Sequence, residues 1–394
     1  MKNRKKMKLF YVLTPILLLN ILLFNKISQI PSTIYQREGE KLYSNIFVNV
    51  CNDEEKKEKT RNVELLGFVP IKTVSTKTIP ETYVIPSGEP IGVNIRTKGV
   101  LVVGISNLIK DDGEVISPAA VAGIEVGDSI LKINNVEITS SELLLKEINR
   151  NKSGELKLLI LRNGKELNKK VIPVKNLKDN KFKIGLWVRD SISGIGTLTF
   201  YDEKSNKFAA LGHPITDIDT GQILKISSGE ILKASIISVD KGTKGNPGEL
   251  KGIFASEGIL GNIENNSITG INGEMKSKDY RTINKPVKIA LRNEIKVGKA
   301  KILTTVEGDK PKLFDIEIEK LLPQDEPGAK SMLIKVTDKK LLNTTGGIVQ
   351  GMSGSPIIQD GKLVGAVTHV LINKPDTGYG IYIEWMLKDS LIIK

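Results

Sequence analysis

The chain carries the sequence GMSGSP at residues 351–356, followed after an Asp-Gly turn by the apolar run LVGAVT at residues 363–368. Gly351 lies two residues before Ser353, and Gly354 follows it directly. Glycine at both places lets the backbone turn sharply, so that the serine hydroxyl is exposed and the N–H groups of Gly351 and Ser353 converge on one point. The stretch therefore predicts a serine nucleophile with an oxyanion hole, on a loop that leads into an apolar strand.

Ser355 is the alternative nucleophile in the same hexapeptide. Only Ser353 fits the spacing Gly-x-Ser-Gly, and Pro356 redirects the chain directly after Ser355. A hydrolase that acts on other bonds is less favoured than a peptidase, because the serine lacks the strand-to-helix setting of Gly-x-Ser-x-Gly enzymes. We therefore expect peptide-bond chemistry at Ser353.

A general base must accompany this serine, and the chain contains only two histidines. His213 lies in the sequence AALGHPITD at residues 209–217, where small residues precede it and Pro214 ends the strand. An imidazole at the rim of a domain is a suitable base, because its ordinary pKa is near neutrality. The sequence therefore favours His213 as the base.

His369 is the alternative base, sixteen residues after the serine on the strand Val364–Leu371. This strand follows the nucleophile through a hairpin, so in a barrel it lines the substrate cleft more readily than it reaches the serine oxygen. We expect Thr368, His369 and Val370 to pair with the substrate as an added strand.

The third group of such a site is a carboxylate that fixes the histidine tautomer. Asp338 ends an apolar strand fifteen residues before the serine and is the preferred residue. Asp217 and Asp219 are close to the histidine in sequence, but carboxylates at that spacing usually cap loops. Asp315 alternates along its strand as if it faced solvent. The expected reaction is acyl transfer without metal or cofactor, with Asp338 holding the imidazole that deprotonates the serine.

The composition indicates a globular, β-rich protein of two or three domains. Of the 394 residues, 40% are hydrophobic and 36 are glycine, and Val/Ile-rich runs are broken by turn residues. The formal net charge is +13, and the charge beyond the N-terminus is spread over mixed runs without interleaved aromatic residues. This pattern argues against nucleic acid as a partner. Cys51 is the single cysteine, so it forms no internal disulfide and no cysteine-based metal cluster.

Residues 1–26 form a basic start followed by an apolar run from Leu9 to Phe24. This pattern is typical of an export signal, in which the positive charges stay in the cytoplasm while the run enters the bilayer. No small-x-small cleavage site follows cleanly, so an uncleaved signal-anchor agrees with the sequence at least as well as a removed signal. Either way, the rest of the protein is expected outside the membrane.

Three further segments follow the leader. Residues 27–88 are polar and rich in Lys and Glu, and they are interpreted as a stalk or linker. Residues 89–176 contain a compact pattern of strands and two short helices. Residues 180–394 contain many short β runs with glycine-rich turns, which favour a barrel or sandwich of catalytic size. The expected fold class is mainly β with few helices.

The compact segment carries the sequence SPAAVAGIEVGDSILKINNVEI at residues 117–138 and resembles a PDZ domain. PDZ domains bind an extended peptide as a strand added beside a sheet edge. The resemblance implies a groove between the helix at residues 140–150 and the strand that contains Val100, Leu101 and Val102. The loop before this strand departs from the usual Gly-Leu-Gly-Phe form, which leaves the capture of a terminal carboxylate open.

Two longer motifs narrow the resemblance, LGHPITDIDTG from residue 211 and TGGIVQGMSGSPIIQDGKLVGAVTHVLINKPDTGYGIYIEWM from residue 345. With an export leader and a PDZ domain ahead of them, the chain resembles the SpoIVB peptidase family of endospore-forming bacteria. The resemblance implies a chymotrypsin-like β-barrel serine peptidase whose triad residues match His213, Asp338 and Ser353. The chain departs from chymotrypsin-like enzymes at Ser355, where glycine usually precedes the proline.

The resemblance also implies a biological role. Members of the family are signalling proteases that are made in the forespore and exported to the space between its two membranes. There they cleave the extracytoplasmic part of a membrane regulator that restrains an intramembrane metalloprotease, so that a late sigma factor is released. They also cleave themselves, and the PDZ domain governs self-recognition and target binding. The rival interpretation is a membrane-tethered, non-catalytic PDZ scaffold, which would need neither the nucleophile nor the oxyanion glycines.

Overall fold

The computed structural model describes residues 14, 30, 32–37, 48–50, 59–65, 68–110, 112–151, 154–276 and 284–393. Strands dominate this described part, which has four short α-helices and one 3₁₀ turn. The mainly β fold expected from the sequence is therefore confirmed. The leader predicted at residues 1–26 lies outside the described residues, apart from Thr14. Among the described residues, no helix is both long enough and apolar enough to cross a membrane.

The elements are numbered in chain order. The strands are β1 Thr33–Arg37, β2 Val48–Val50, β3 Lys59–Leu65, β4 Val69–Ile79, β5 Tyr83–Pro86, β6 Pro90–Ile105, β7 Leu108–Ile109, β8 Val115–Ile116, β9 Ser129–Ile133, β10 Val136–Glu137, β11 Leu156–Arg162, β12 Lys165–Val171, β13 Val174–Lys175, β14 Phe182–Lys183, β15 Leu186–Asp202, β16 Lys207–Ala210, β17 Ile226–Asp240, β18 Glu249–Ser267, β19 Gly270–Met275, β20 Val287–Lys288, β21 Gly298–Thr304, β22 Lys312–Leu321, β23 Met332–Val336, β24 Pro356–Gln359, β25 Lys362–Leu371 and β26 Lys374–Tyr382. The helices are α1 Pro118–Val121, α2 Ser141–Arg150, α3 Lys339–Thr345 and α4 Ile383–Asp389, and the 3₁₀ turn is Arg292–Glu294.

The PDZ unit is built from two tight hairpins beside the second half of β6. Asn134 and Asn135, with φ of 46° and 69°, join β9 to β10, and Asn163 and Gly164, with φ of 49° and 81°, join β11 to β12. Asparagine and glycine tolerate this left-handed region, which matches the twist of paired strands. Ser140 caps α2, its Oγ accepting the Leu143 N–H at 3.1 Å. The apolar side chains of these elements form a core of their own.

The first barrel is a ring of six strands, in the order β6, β17, β18, β19, β16 and β15. An additional pairing between β15 and β6 closes the ring. Its core includes Ile91, Val93 and Ile95 from the first half of β6 together with Phe208 from β16. Because β6 continues past residue 97 into the PDZ unit, that unit is an insertion in the first barrel rather than a domain placed wholly before the catalytic region.

The second barrel is closed by β21, β22, β23, β26, β25 and β24. Alternate residues of its strands face inward, as the alternating burial of β22 shows. Ile302, Phe314, Ile334 and Ile381 are among its fully buried residues. Helix α4 follows β26 and packs against β25 and β26. A β-barrel catalytic region, as the sequence predicted, is thus part of the fold.

Strand β15 is the neighbour of β6 in the PDZ unit. Leu101 of β6 lies opposite Ser129 of β9 on one side and opposite Arg189 of β15 on the other. Val102 likewise lies opposite Val188. The sequence predicted that Val100, Leu101 and Val102 flank the peptide groove together with the helix at residues 140–150. In this structure residues 183–188, rather than these three, border the cavity of about 540 Å³ beside α2, because β15 is paired along β6.

The segment predicted as a linker at residues 27–88 contributes packed structure wherever it is described. Strands β1, β4, β3 and β2 form a four-stranded sheet in that order. Tyr35 and Ile79 from this sheet belong to the core of the second barrel. Arg37 forms an ion pair with Glu294 at 2.8 Å and donates to the Ile289 carbonyl at 2.6 Å. Because the segment is rich in Lys and Glu, the few apolar side chains that hold this sheet in place were not recognised from the sequence.

Replacement of Tyr35 by alanine tests this packing. Tyr35 is 4% exposed, and removal of a buried aromatic ring leaves a cavity, so we expect the free energy of unfolding to fall by about 3 kcal/mol. Phe68 is 70% exposed in the same segment, and Phe68→Ala is the matched control with a change below about 0.5 kcal/mol. Urea unfolding of both variants measures the difference, and equal stabilities would contradict a packed N-terminal sheet.

Candidate active site

The nucleophile loop, residues 349–355, lies between α3 and β24. Gly346, with φ of 75°, ends α3 in the left-handed conformation. A Cβ atom on Gly354 would lie 2.1 Å from the Thr197 carbonyl oxygen and 2.5 Å from the Leu211 nitrogen. Glycine at position 354 is therefore required because the loop packs directly against the backbone of the first barrel, and not only because the loop turns.

Thr197 of β15 forms two hydrogen bonds to the nucleophile loop. Its N–H donates to the Ser353 carbonyl at 3.0 Å, and its hydroxyl donates to the Gly351 carbonyl at 2.8 Å. These bonds fix the peptide units on both sides of the nucleophile. Sequence reasoning missed Thr197, since the run GTLTF at residues 196–200 indicates only a strand. A buried hydroxyl needs a partner, but the sequence does not say which one.

Ser353 and Ser355 have different surroundings. The Ser355 side chain is fully buried, and its hydroxyl donates to the Met352 carbonyl at 2.6 Å and shares a hydrogen bond of 2.8 Å with the Thr304 hydroxyl. The Ser353 hydroxyl is half-buried at a cavity and donates to the Thr368 carbonyl at 2.8 Å. Ser355 is thus a structural residue in this arrangement, and Ser353 is the serine that a substrate can reach.

The N–H groups of Gly351 and Ser353 make no hydrogen bond to the described part of the chain, whereas their neighbours do. Met352 donates to Val349, and Gly354 donates to Val367. Gly351 and Ser353 both line the cavity. Two unused backbone donors beside a reachable serine are what an oxyanion hole requires.

A cavity of about 560 Å³ brings the nucleophile and both histidines together. His213 and His369 line it with Ser353, and the centroids of the two imidazole rings are 4.9 Å apart with their planes tilted by 45°. His213 follows Leu211 and Gly212, whose φ values of 70° and 71° turn the chain sharply at the end of β16. The structure therefore juxtaposes three residues that are far apart in sequence.

The hydrogen bonding of His213 fixes its tautomer. Its Nδ1 lies 2.9 Å from the Pro214 carbonyl oxygen, which can only accept, so Nδ1 carries the proton and Nε2 keeps a free lone pair. Burial lowers the pKa of His213 below its ordinary value, although the Pro214 carbonyl acts in the opposite direction. A neutral imidazole with an available Nε2 is the form that a general base needs.

His369 is also held neutral. Burial, the neighbouring His213 and the charge of Lys330 together lower its pKa to about 4. Its Nδ1 is buried and has no hydrogen-bond partner among the described residues. The two rings thus form a neutral pair in the cavity wall, and the geometry leaves His369 close to the reacting groups, as both of its predicted roles require.

Asp338 lies outside the cavity that contains Ser353 and the two histidines. It is the N-cap of α3, where its Oδ1 accepts the Leu341 N–H at 3.0 Å and its Oδ2 accepts the Asp315 N–H at 3.4 Å. It does not line the cavity, and no carboxylate of the described residues hydrogen-bonds to either imidazole. The expected contact between Asp338 and His213 is therefore absent from this structure. A carboxylate directly after a strand and before a helix satisfies the first turn of that helix.

The other candidate carboxylates have structural partners too. Asp217 accepts the N–H groups of Asp219 and Thr220 at 3.1 and 2.9 Å, which is the loop cap that its spacing suggested. Asp315 is exposed and pairs with Lys301 at 2.5 Å. The residue that orients His213 in this structure is therefore its own neighbour, Pro214, through a backbone carbonyl.

Strand β25 presents an edge to the cavity. It pairs with β24 as far as Ala366, and a bulge follows between Val367 and His369. Thr368 and His369 line the cavity together with Val370. Beyond the bulge the side of the strand that faces the cavity has no neighbouring strand among the described residues. Pairing of a substrate along this edge stays a prediction. Such pairing requires an edge beside the nucleophile, and this edge borders the cavity that contains Ser353.

Comparison with known proteins gives the family of this chain. A family model described as SpoIVB peptidase S55 matches residues 180–387, which is more than half of the chain. The chain belongs to this family. A PDZ domain model matches residues 91–172. The protein is therefore a PDZ-containing serine peptidase, and the family expected from its two long motifs is confirmed.

Solved structures with similarity to this peptidase include two proteins. One is the PDZ domain of the SdrC-like protein from Listeria monocytogenes, at 24% identity over 23% of this chain and 87% of that chain, with a TM-score of 0.19. The other is the Rv3671c protease from M. tuberculosis. Its active form has 12% identity over 51% of this chain and 74% of that chain, with a TM-score of 0.29. An inactive form has 13% identity over 50% of this chain and 83% of that chain, with a TM-score of 0.28.

The buried position of His213 predicts the acid limb of the pH profile. Only neutral imidazole accepts the serine proton, so kcat/KM falls as the pH drops through the pKa of His213. Because burial lowers that pKa, we expect the midpoint of the fall below the ordinary value of 6.5. Initial rates of peptide cleavage between pH 4 and 8 measure it, and a midpoint at or above 6.5 would contradict the assignment.

The two possible roles of Asp338 predict different outcomes for its asparagine variant. Asparagine caps a helix as well as aspartate does, so in this arrangement Asp338→Asn should keep kcat within a few-fold of wild type, while Asp338→Ala should lose about 1 kcal/mol of stability. A carboxylate that held the catalytic imidazole would instead cost about 10⁴-fold in kcat on replacement by asparagine. Steady-state kinetics and thermal unfolding of both variants separate these roles.

Proposed function

We propose that the protein is an exported, self-cleaving serine endopeptidase of sporulation signalling. Its substrate in this role is the extracytoplasmic part of a membrane regulator that restrains an intramembrane metalloprotease, and its cleavage triggers release of a late sigma factor. The family match over residues 180–387 is the observation that carries the proposal, since the family takes its description from such a peptidase. The basic and apolar sequence of residues 1–26 supports export and membrane attachment at the forespore membrane.

The active site supports the chemical part of the proposal. His213 Nε2 would take the proton of the Ser353 hydroxyl as the oxygen attacks the scissile carbonyl. The unpaired N–H groups of Gly351 and Ser353 would then donate to the oxyanion of the tetrahedral intermediate. The protonated His213 would give its proton to the leaving amine, and water would release the acyl group in the reverse sequence of steps.

The present position of the Ser353 hydroxyl indicates how a substrate would start this reaction. The hydroxyl donates to the Thr368 carbonyl and not to either imidazole. A substrate strand that paired with β25 would offer its own N–H to that carbonyl. The serine would then lose its partner and turn towards Nε2 of His213. Binding and activation of the nucleophile would thus be the same event.

Self-cleavage tests the peptidase step. Purified wild-type protein, incubated alone and followed by gel electrophoresis and intact mass, should give fragments that are absent for Ser353→Ala, because the attacking oxygen is lost. We expect a decrease of at least about 10⁴-fold in cleavage rate. Ser355→Ala is the matched control in the same loop and should keep the activity, although the loss of its buried hydrogen bonds costs about 1 kcal/mol of stability. Equal fragmentation of wild type and Ser353→Ala would refute the nucleophile.

Complementation in an endospore-forming host tests the biological part. The host lacks its own SpoIVB peptidase and carries a reporter for the late mother-cell sigma factor. Wild type and Ser355→Ala should restore heat-resistant spores and reporter activity, whereas Ser353→Ala should restore neither. Self-cleavage in vitro without any restoration by the wild-type gene would leave the peptidase in place and reject the signalling role.

A further inference from the structure

The segment that leads from the PDZ unit into the first barrel, residues 182–190, is packed against the PDZ unit. Asn149 of α2 holds Phe182 through both of its backbone groups, at 3.1 and 3.2 Å. Ala119 donates its N–H to the Ile184 carbonyl at 2.9 Å. The Ile184 side chain belongs to the PDZ core. The segment and α2 together line a cavity of about 540 Å³, so the segment forms one wall of the groove beside α2.

The far end of this segment is also fixed by the PDZ unit. The carboxylate of Asp190 accepts the N–H and the hydroxyl of Ser141, at 2.7 and 2.8 Å, at the start of α2. Its carbonyl accepts from the Thr97 hydroxyl at 3.2 Å. The register of β15 on β6 shifts between Arg189 and Ser191. Such a bulge changes the direction of a neighbouring side chain, and here that neighbour is Arg189.

Arg189 reaches from the PDZ groove to the histidine loop, residues 213–223. Its guanidinium forms ion pairs with Asp217 and, at 2.8 Å, with Asp219. Asp217 is completely buried. Burial alone would raise the pKa of Asp217, but Thr220 and Arg189 hold it below its ordinary value. The charged carboxylate therefore depends on Arg189 for its compensation, since an unpaired buried charge is strongly unfavourable.

The other side of the histidine loop is tied to the first barrel. The side chain of Asn266 accepts the Ile215 N–H at 2.8 Å and donates to the carbonyls of Ile215 and Leu224, at 2.9 and 3.0 Å. Asp217 is thus the point at which the loop contacts the PDZ-bound segment. Ile215 is two residues from His213, so a change at either attachment alters the backbone that carries the imidazole.

We propose that Arg189 is a positioning residue for His213, through which the strand of the PDZ unit that carries it aligns the catalytic base. While residues 182–190 stay packed against the PDZ unit, Arg189 neutralises Asp217 and the histidine loop keeps its conformation. Loss of this side chain leaves the buried Asp217 carboxylate without its cation, so the loop shifts and the rate of proteolysis falls.

The test compares two arginines that each pair with a buried aspartate. Arg189→Ala removes the proposed link, and Arg162→Ala removes the pair with Asp128 at 2.7 Å inside the PDZ unit. No hydrogen bond or ion pair joins Arg162 to the described residues of the histidine loop. We expect Arg189→Ala to lower kcat by about 10²-fold with little change in KM, because small misplacements of a catalytic group have effects of this size. Arg189→Lys should recover part of the loss, and Arg162→Ala should keep the wild-type kcat.

A second measurement does not need turnover. The two histidines give two sets of imidazole NMR signals, which a His369→Gln variant assigns. Arg189→Ala and Asn149→Ala should shift the signals of His213, whereas Arg162→Ala should leave them in place. If the wild-type protein cleaves nothing, the proposed function fails and these signals still decide the inference. Unchanged His213 signals in Arg189→Ala, or equal shifts in Arg162→Ala, would overturn it.

Discussion

The antiparallel pairing of β6 with β15 is the interaction on which the rest of the structure depends. It runs from Leu186 opposite Ile105 in the PDZ unit to Thr197 opposite Pro90 in the first barrel. One half forms a wall of the groove beside α2, and the other half closes the barrel. The same strand then carries Thr197 to the nucleophile loop. Two functional units therefore share a continuous pair of hydrogen-bonded strands and cannot be placed independently.

In this arrangement the two imidazoles of the site are desolvated and have no carboxylate partner among the described residues. Both imidazoles are kept neutral by burial, and a backbone carbonyl sets the tautomer of His213. The Ser353 hydroxyl donates to the Thr368 carbonyl, so the nucleophile is not yet directed at its base. In the proposed mechanism the hydroxyl would turn to the base when a substrate strand competes for its acceptor.

Local patterns allowed the sequence to predict much of the site. Gly351 and Gly354 indicated the turn around Ser353, and the structure places His213 in the same cavity. The hairpins at Asn134 and at Asn163 followed from the same kind of local rule. Asp338 was selected by its order in the chain. The order of residues in a sequence does not determine how far apart their side chains lie in the fold. The role of Asp338 as the N-cap of α3 also follows from a local pattern, but the hypothesis of a catalytic triad was preferred to it.

The sequence by itself determined the elements whose cause lies within a few residues. These are the β-rich composition, the tight turns, the capped helix α2 and a serine between glycines. The tertiary structure alone decided that β15 pairs with β6 inside the PDZ unit, that Thr197 supports the nucleophile loop, and that Arg189 reaches Asp217. These contacts join residues from 28 to 154 positions apart. Such pairs depend on strand register and loop closure, which no short pattern encodes.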